Sequence, residues 1–109
     1  MITGGAGYIG SHMVRNLIDE KFNPIIFDNF STGHREFIPE GIPFIKGDLR
    51  NESDIKKVFK HFSVDTVIHF AASALVPESM IDPIKYYDNN VSACISLLKA
   101  MLDHKIKRF

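Results

Sequence analysis

The chain has 109 residues, of which 45% are hydrophobic and 24% charged, the make-up of one small globular domain or part of a larger one. Thirteen basic residues balance thirteen acidic ones, so net charge gives no pull toward nucleic acid or an anionic membrane. The single Cys94 excludes an internal disulfide and fits a reducing cytoplasm; no apolar run is long enough for a membrane span, and the five histidines lack metal-ligand spacing.

Strand and helix signals alternate from the first residues. Met1 to Thr3 reads as a short apolar strand that enters the turn Thr3-Gly4-Gly5-Ala6-Gly7-Tyr8-Ile9-Gly10. From about Tyr8 to Lys21 a helix is expected, because Ile9, Met13, Val14, Leu17 and Ile18 fall on one helical face. Pro24 to Asp28 forms a second strand. The loop from Asn29 to Ile42 holds one helical turn at Arg35 to Phe37, and Pro43 to Lys46 is a third strand ending at Gly47-Asp48. A helix from Glu52 to Phe62, capped by Asn51 or Ser53, buries Ile55, Val58, Phe59 and Phe62.

Thr66 to Phe70 is nearly all apolar, as a strand covered on both faces should be. After a short helical turn from Val76 to Ile81, Asp82 caps a long helix. Pro83 takes its first position, where the missing N–H costs nothing, and the helix runs to His104. Ile84, Tyr87, Val91, Ile95, Leu98 and Leu102 are its expected core face, and Cys94 reads as a small core residue. Ile106 to Phe109 resembles the approach to a fifth strand. Such repeated units predict an α/β fold, a doubly wound parallel sheet of which about four strands, the first half, are present.

Ligands on such sheets sit beyond the carboxyl ends of the strands. The glycine turn lies there, between a strand and a helix, and its glycines satisfy two registers, G-x-G-x-x-G and G-x-x-G-x-x-G. Gly4 permits the tight turn, Gly7 removes a Cβ that would block a phosphate, and Gly10 lets the helix lie close on the sheet. Free N–H groups at the helix start then face the anion. Asp28 ends the second strand eighteen residues past Gly10. That matches the spacing of about twenty expected of a carboxylate on the adenine ribose. A carboxylate there repels a 2′-phosphate, and Arg35 is the nearest downstream cation, so NAD is expected over NADP. His69, inside an apolar strand, reads as a hydrogen-bonded core residue, and Tyr86 and Tyr87 as packing residues on an amphipathic helix.

Together these residues resemble the extended short-chain dehydrogenase/reductase family, and within it the UDP-glucose 4-epimerases. The matching segments are Thr3 to His12, Asp28 to His34, Gly47 to Asn51, Asp65 to Ala72 and Tyr86 to Val91, in order along the whole chain. They correspond to roughly the first third of a family member. The resemblance implies an NAD-binding Rossmann fold. In it Tyr8 and Ile9 would give backbone N–H groups to the pyrophosphate, beside Gly4, Gly7 and Gly10. Asp28 would hold the adenosine ribose, and Asn29, Phe30, Ser31, Thr32 and Gly33 would border the adenine side. Asp48 and Leu49 would meet the adenine ring, the Asp48 carboxylate accepting from its amino group. Phe70, Ala71 and Ala72 would run along the far ribose and phosphate, and Asn89 would reach the cofactor from the long helix.

The family reaction moves a hydride from C4 of a UDP-hexose to NAD and returns it to the opposite face. A tyrosine, a lysine four residues later and an upstream Ser or Thr carry its acid–base work. Here Tyr8, Tyr86 and Tyr87 are followed four positions on by His12, Asn90 and Val91, so no residue is assigned a catalytic role and no metal is expected. The expectation is a partial NAD-binding domain over residues 1–109, with the catalytic Tyr/Lys segment and the C-terminal substrate lobe absent, inactive alone. Its full-length parent would be a cytoplasmic homodimer that uses the long helix in a subunit bundle and binds UDP-hexose, not nucleic acid or membrane. Some epimerases carry a lysine where this chain has Ala74. The alternatives are a fragment of a sugar-nucleotide 4,6-dehydratase or reductase, and a stand-alone nucleotide-binding module.

Overall fold

The computed structural model describes all residues from Met1 to Phe109. Four strands, β1 (Ile2–Thr3), β2 (Ile26–Asp28), β3 (Phe44–Lys46) and β4 (Ile68–His69), form one parallel sheet in the order β3-β2-β1-β4. The helices are α1 (Tyr8–Asp19), α2 (Glu52–His61), α3 (Val76–Ile81), α4 (Pro83–Tyr87) and α5 (Ala93–Asp103), with a 3-10 turn at Arg35–Phe37. This order is the first half of the doubly wound Rossmann arrangement, in which the chain reverses direction between β1 and β4.

Strand alternation sends neighbouring side chains to opposite faces, and two cores result. Ile25, Phe27, Met1 and Val67 pack with Ile55 and Val58 of α2 and with Ala93, Leu97 and Met101 of α5. On the other face Ile2 and Ile26 pack with Val14 of α1 and Ile38, joined by Leu17, Ile18, Ile68 and Phe70. The central strands β1 and β2 are therefore buried on both sides, whereas β4, expected to be covered on both faces, is only half-buried and the edge strand β3 is largely exposed. Phe59 and Phe62 rest half-buried against the first cluster.

Boundaries are tighter than the sequence suggests. β2 begins at Ile26 and β4 spans two residues, while Thr66 makes a bridge with Arg108 and its carbonyl accepts the Met1 amino group at 2.7 Å. That bridge is parallel, with the Val67 amide donating to the Arg108 carbonyl at 3.0 Å, so the Ile106–Phe109 segment does reach the sheet. α1 stops at Asp19, ahead of Lys21, whose φ of 62° lies in the left-handed region. Both expected caps form: the Asn51 side chain accepts the Ser53 amide, and the Asp82 side chain accepts the Lys85 amide.

The long helix is continuous, but residues Asp88–Ser92 adopt π-helical hydrogen bonding between α4 and α5. Its core face is also not the expected one. Ala93, Leu97, Ala100 and Met101 are buried, whereas Ile84, Tyr87, Val91, Ile95, Leu98 and Leu102 are exposed on the opposite side. The helix has apolar stripes on both faces, and the one with smaller residues faces the sheet. Cys94 is only half-buried beside it.

Candidate functional site

The carboxyl ends of the strands open into a cleft of ≈ 520 Å³. One wall is the turn after β1. Gly4 has φ +68°, and a Cβ there would sit 2.7 Å from the Ala71 amide nitrogen, so the turn is pressed against the segment after β4. Gly10 does not face the sheet as expected. Its Cβ would lie 2.1 Å from the Gly4 carbonyl oxygen, so its small size seats α1 on the glycine turn itself.

Gly7 differs in kind. It caps α1 with φ −79° and ψ 173°, extended backbone that any residue adopts, and no side chain caps the helix. A Cβ there would meet only the Gly4 carbonyl, at 3.2 Å. The dihedrals give no reason for glycine at this position; the tight approach to the Gly4 carbonyl favours a small residue, and so does the open cleft beside it. The first helical hydrogen bond runs from the Ser11 amide to the Gly7 carbonyl at 2.9 Å, and the Tyr8, Ile9 and Gly10 amides have no acceptor within the chain. Tyr8, Ile9 and Gly10 are not part of the cleft lining, which reaches the helix start only at Gly7, and the Tyr8 and Ile9 side chains are exposed.

The opposite wall rises from β2 and β3. Asp28 is 6% exposed, and its two carboxylate oxygens accept the backbone amides of Ala6 at 2.9 Å and Phe30 at 2.8 Å. An ionised carboxylate has about four acceptor positions, so two remain for hydroxyl groups in the cleft. Asn29, Ser31, Thr32 and Gly33 line this side, as do Asp48 and the buried Leu49. Phe30 does not: with φ 60° its ring turns away to the α1-side core and meets Phe44 edge-on at 6.1 Å. Arg35 lies over the Phe44 ring, 4.4 Å from its centroid, and is not part of the cleft lining.

Asp48 is the most strongly paired acid. The Arg50 guanidinium makes a two-pronged contact, Nε to Oδ1 at 2.9 Å and Nη2 to Oδ2 at 2.7 Å. The Arg50 amide and the Asn29 side chain add two more bonds. Hydrogen bonding to Arg50 holds the Asp48 carboxyl well below the ordinary carboxylate range.

The far end of the cleft follows β4. Phe70, Ala71 and Ala72 line it, with Asn89 from the π-helical segment. So do Ser73, Ala74, Leu75, Glu78, Lys85 and Tyr86. Asn90 grips the Ser73 backbone at both ends, accepting its amide at 2.8 Å and donating to its carbonyl at 2.9 Å. Asn89 donates to the Ser73 hydroxyl at 3.2 Å. The Tyr86 hydroxyl accepts the Leu75 amide at 3.0 Å and lies 2.7 Å from Glu78, which also pairs with Lys85. Tyr86 is thus a loop-fastening residue more than a packing one. His69 accords with its expected role, its Nδ1 lying 2.6 Å from the buried Thr3 hydroxyl, although the ring is only half-buried.

Periodicity could not reveal Asn90, Arg50 or Tyr86, since each acts through a hydrogen bond that leaves no mark on apolar spacing. Only Arg50, two residues past Asp48, lay within reach of a local reading.

The family described as "NAD dependent epimerase/dehydratase family" matches residues 1–109. A UDP-glucose 4-epimerase of Lactobacillus helveticus is 46% identical over 107 residues, 98% of this chain and 32% of that protein. One of Streptomyces lividans is 41% identical over 109 residues, 99% of this chain and 33% of that protein. The solved UDP-glucose 4-epimerase of Thermus thermophilus, a complex with NAD, superposes with a TM-score of 0.95 at 37% identity, covering 97% of this chain and 34% of that one. The chain therefore spans about a third of the length of the curated relatives it matches. With one family matched from the first residue to the last and the same parallel sheet in its solved members, this chain belongs to the NAD dependent epimerase/dehydratase family.

Proposed function

We propose that residues 1–109 are the cofactor-holding part of a UDP-glucose 4-epimerase, with NAD laid across the strand ends. The observation that carries this is Gly7, whose dihedrals do not require glycine, lining the cleft just before the Tyr8, Ile9 and Gly10 amides, which have no acceptor within the chain. A diphosphate fits there by both charge and space. Asp28 would take the adenosine ribose through its free acceptor positions, Asp48 and Leu49 the adenine, and Asn29 with Ser31 to Gly33 would border it. Phe70 to Ala72 and Asn89 would follow the other ribose. Asp28 disfavours a 2′-phosphate, and the packed Arg35 is not placed to offset it.

Bound NAD supplies reversible hydride acceptance at C4 of a UDP-hexose. The residues present bind and orient; none is assigned a proton-transfer step, and the Tyr-x-x-x-Lys pair and sugar pocket would come from the part of the relatives that this chain does not span. The exposed stripe Ile84, Tyr87, Val91, Ile95, Leu98 and Leu102 would pair with the same stripe of a second copy, giving a homodimer. No helix is long and apolar enough to cross a membrane, and a lone half-buried cysteine suits a cytoplasmic protein.

A chimera in which residues 1–109 replace the matched third of the Lactobacillus helveticus relative tests the proposal. It should retain NAD and interconvert UDP-galactose and UDP-glucose. A folded chimera that retains no NAD, or retains it without epimerising, would contradict the reading.

A further inference from the structure

The Asp48 carboxylate is saturated. Its Oδ1 accepts the Arg50 amide and Nε, both at 2.9 Å, and its Oδ2 accepts Arg50 Nη2 at 2.7 Å and Asn29 Nδ2 at 3.1 Å. Four donors fill the roughly four acceptor positions of a carboxylate. An incoming N–H group can bond to Asp48 only by displacing one of them. The four are not equivalent. Asn29 lines the cleft and makes the longest of the bonds, whereas Arg50 is absent from the lining and approaches from outside. The guanidinium is steadied on that side by Asp88, whose Oδ2 lies 3.7 Å from Nη1.

We propose that Arg50 is the positioning residue for purine recognition: it pins Asp48 from outside the cleft so that one Oδ2 acceptor position passes from the Asn29 amide to an exocyclic amine. This rests on the cleft being an adenine-dinucleotide site. A planar fork holds both oxygens in one plane, which a lysine, a point charge on a flexible stem, cannot reproduce. Without the fork the carboxylate is free to rotate away from the base.

The test is titration of the chain with NAD and with its hypoxanthine analogue, in which a carbonyl oxygen replaces the adenine amine. The unsubstituted chain should prefer NAD by roughly tenfold or more, since the analogue sets an acceptor against an acceptor. Arg50→Gln should lose most of that preference by weakening NAD alone, and Arg50→Lys should keep a small part of it. Equal weakening of both ligands by Arg50→Gln, or an unchanged preference, would overturn the inference. If the unsubstituted chain binds the two ligands equally, the inference fails and the NAD reading stands. If it binds neither, both fail together.

Discussion

The carboxylate of Asp28 accepts the backbone amide of Ala6 at 2.9 Å, tying the end of β2 to the turn after β1 across 22 residues of sequence. One side chain therefore both shapes the glycine turn and presents free acceptor positions to the cleft. Asp28→Ala should destabilise the chain by about 1–3 kcal/mol, the cost of a buried amide left unpaired. Asp28→Asn keeps one acceptor oxygen and should lose less stability while still weakening NAD binding. Urea denaturation and NAD titration of the two variants separate the structural from the binding role.

Asn90 fastens the loop after β4 by bonding to both the amide and the carbonyl of Ser73. Asn90→Ala should cost about 1–3 kcal/mol and weaken NAD binding, because Ala71 and Ala72 lie just before the released residue. Asn90→Asp retains the acceptor and loses the donor, so it should fall between the two. A variant as stable as the original, by chemical denaturation, would show that the loop is held elsewhere.

The two stripes of the long helix should respond in opposite ways to substitution. Leu97, fully buried against the sheet, should cost about 2–5 kcal/mol as Leu97→Ala. Leu102→Lys, on a residue 76% exposed, should leave monomer stability within about 0.5 kcal/mol and abolish self-association. Sedimentation velocity reads the second effect; a chain that stays monomeric before substitution would remove the basis for the proposed homodimer.

Burial beside β1 lowers the His69 pKa below its ordinary 6.5. The unfolded chain then takes up the proton first as the pH falls, so this contribution to stability is fully present above 6.5 and is lost progressively below it. The urea midpoint should fall between pH 7.5 and about pH 5.5, where ordinary carboxylates are still ionised. His69→Gln, which can still bond to the Thr3 hydroxyl, should reduce the fall. An unchanged pH dependence in that variant would assign the effect to another group.

What could be read from the sequence was whatever depends on neighbours along the chain. The glycine turn, Asp28 at a strand end, the Asn51 and Asp82 caps and the turn at Arg35–Phe37 are local patterns, and each lies where expected. The buried side of α5 was not legible, because Leu97 and Leu98 head two apolar stripes of similar period. Tertiary packing chose between them: small residues, Ala93 and Ala100, let the helix sit close to the sheet. The π-helical segment was hidden too, since five residues of altered hydrogen bonding leave spacings of three and four intact. Phe30 shows a third limit. The family resemblance implied a place beside the adenine, but with a left-handed backbone its half-buried ring packs against the α1-side core.

Gly7 is where the account is most exposed to refutation. Its dihedrals suit any residue and an added Cβ meets only the Gly4 carbonyl, tightly at 3.2 Å, so Gly7→Val should still fold, at some cost in melting temperature. The added methyl groups would stand where a diphosphate must lie, and NAD binding by calorimetric titration should be lost. A folded Gly7→Val chain that binds NAD as tightly as before would contradict a diphosphate seated over the start of α1.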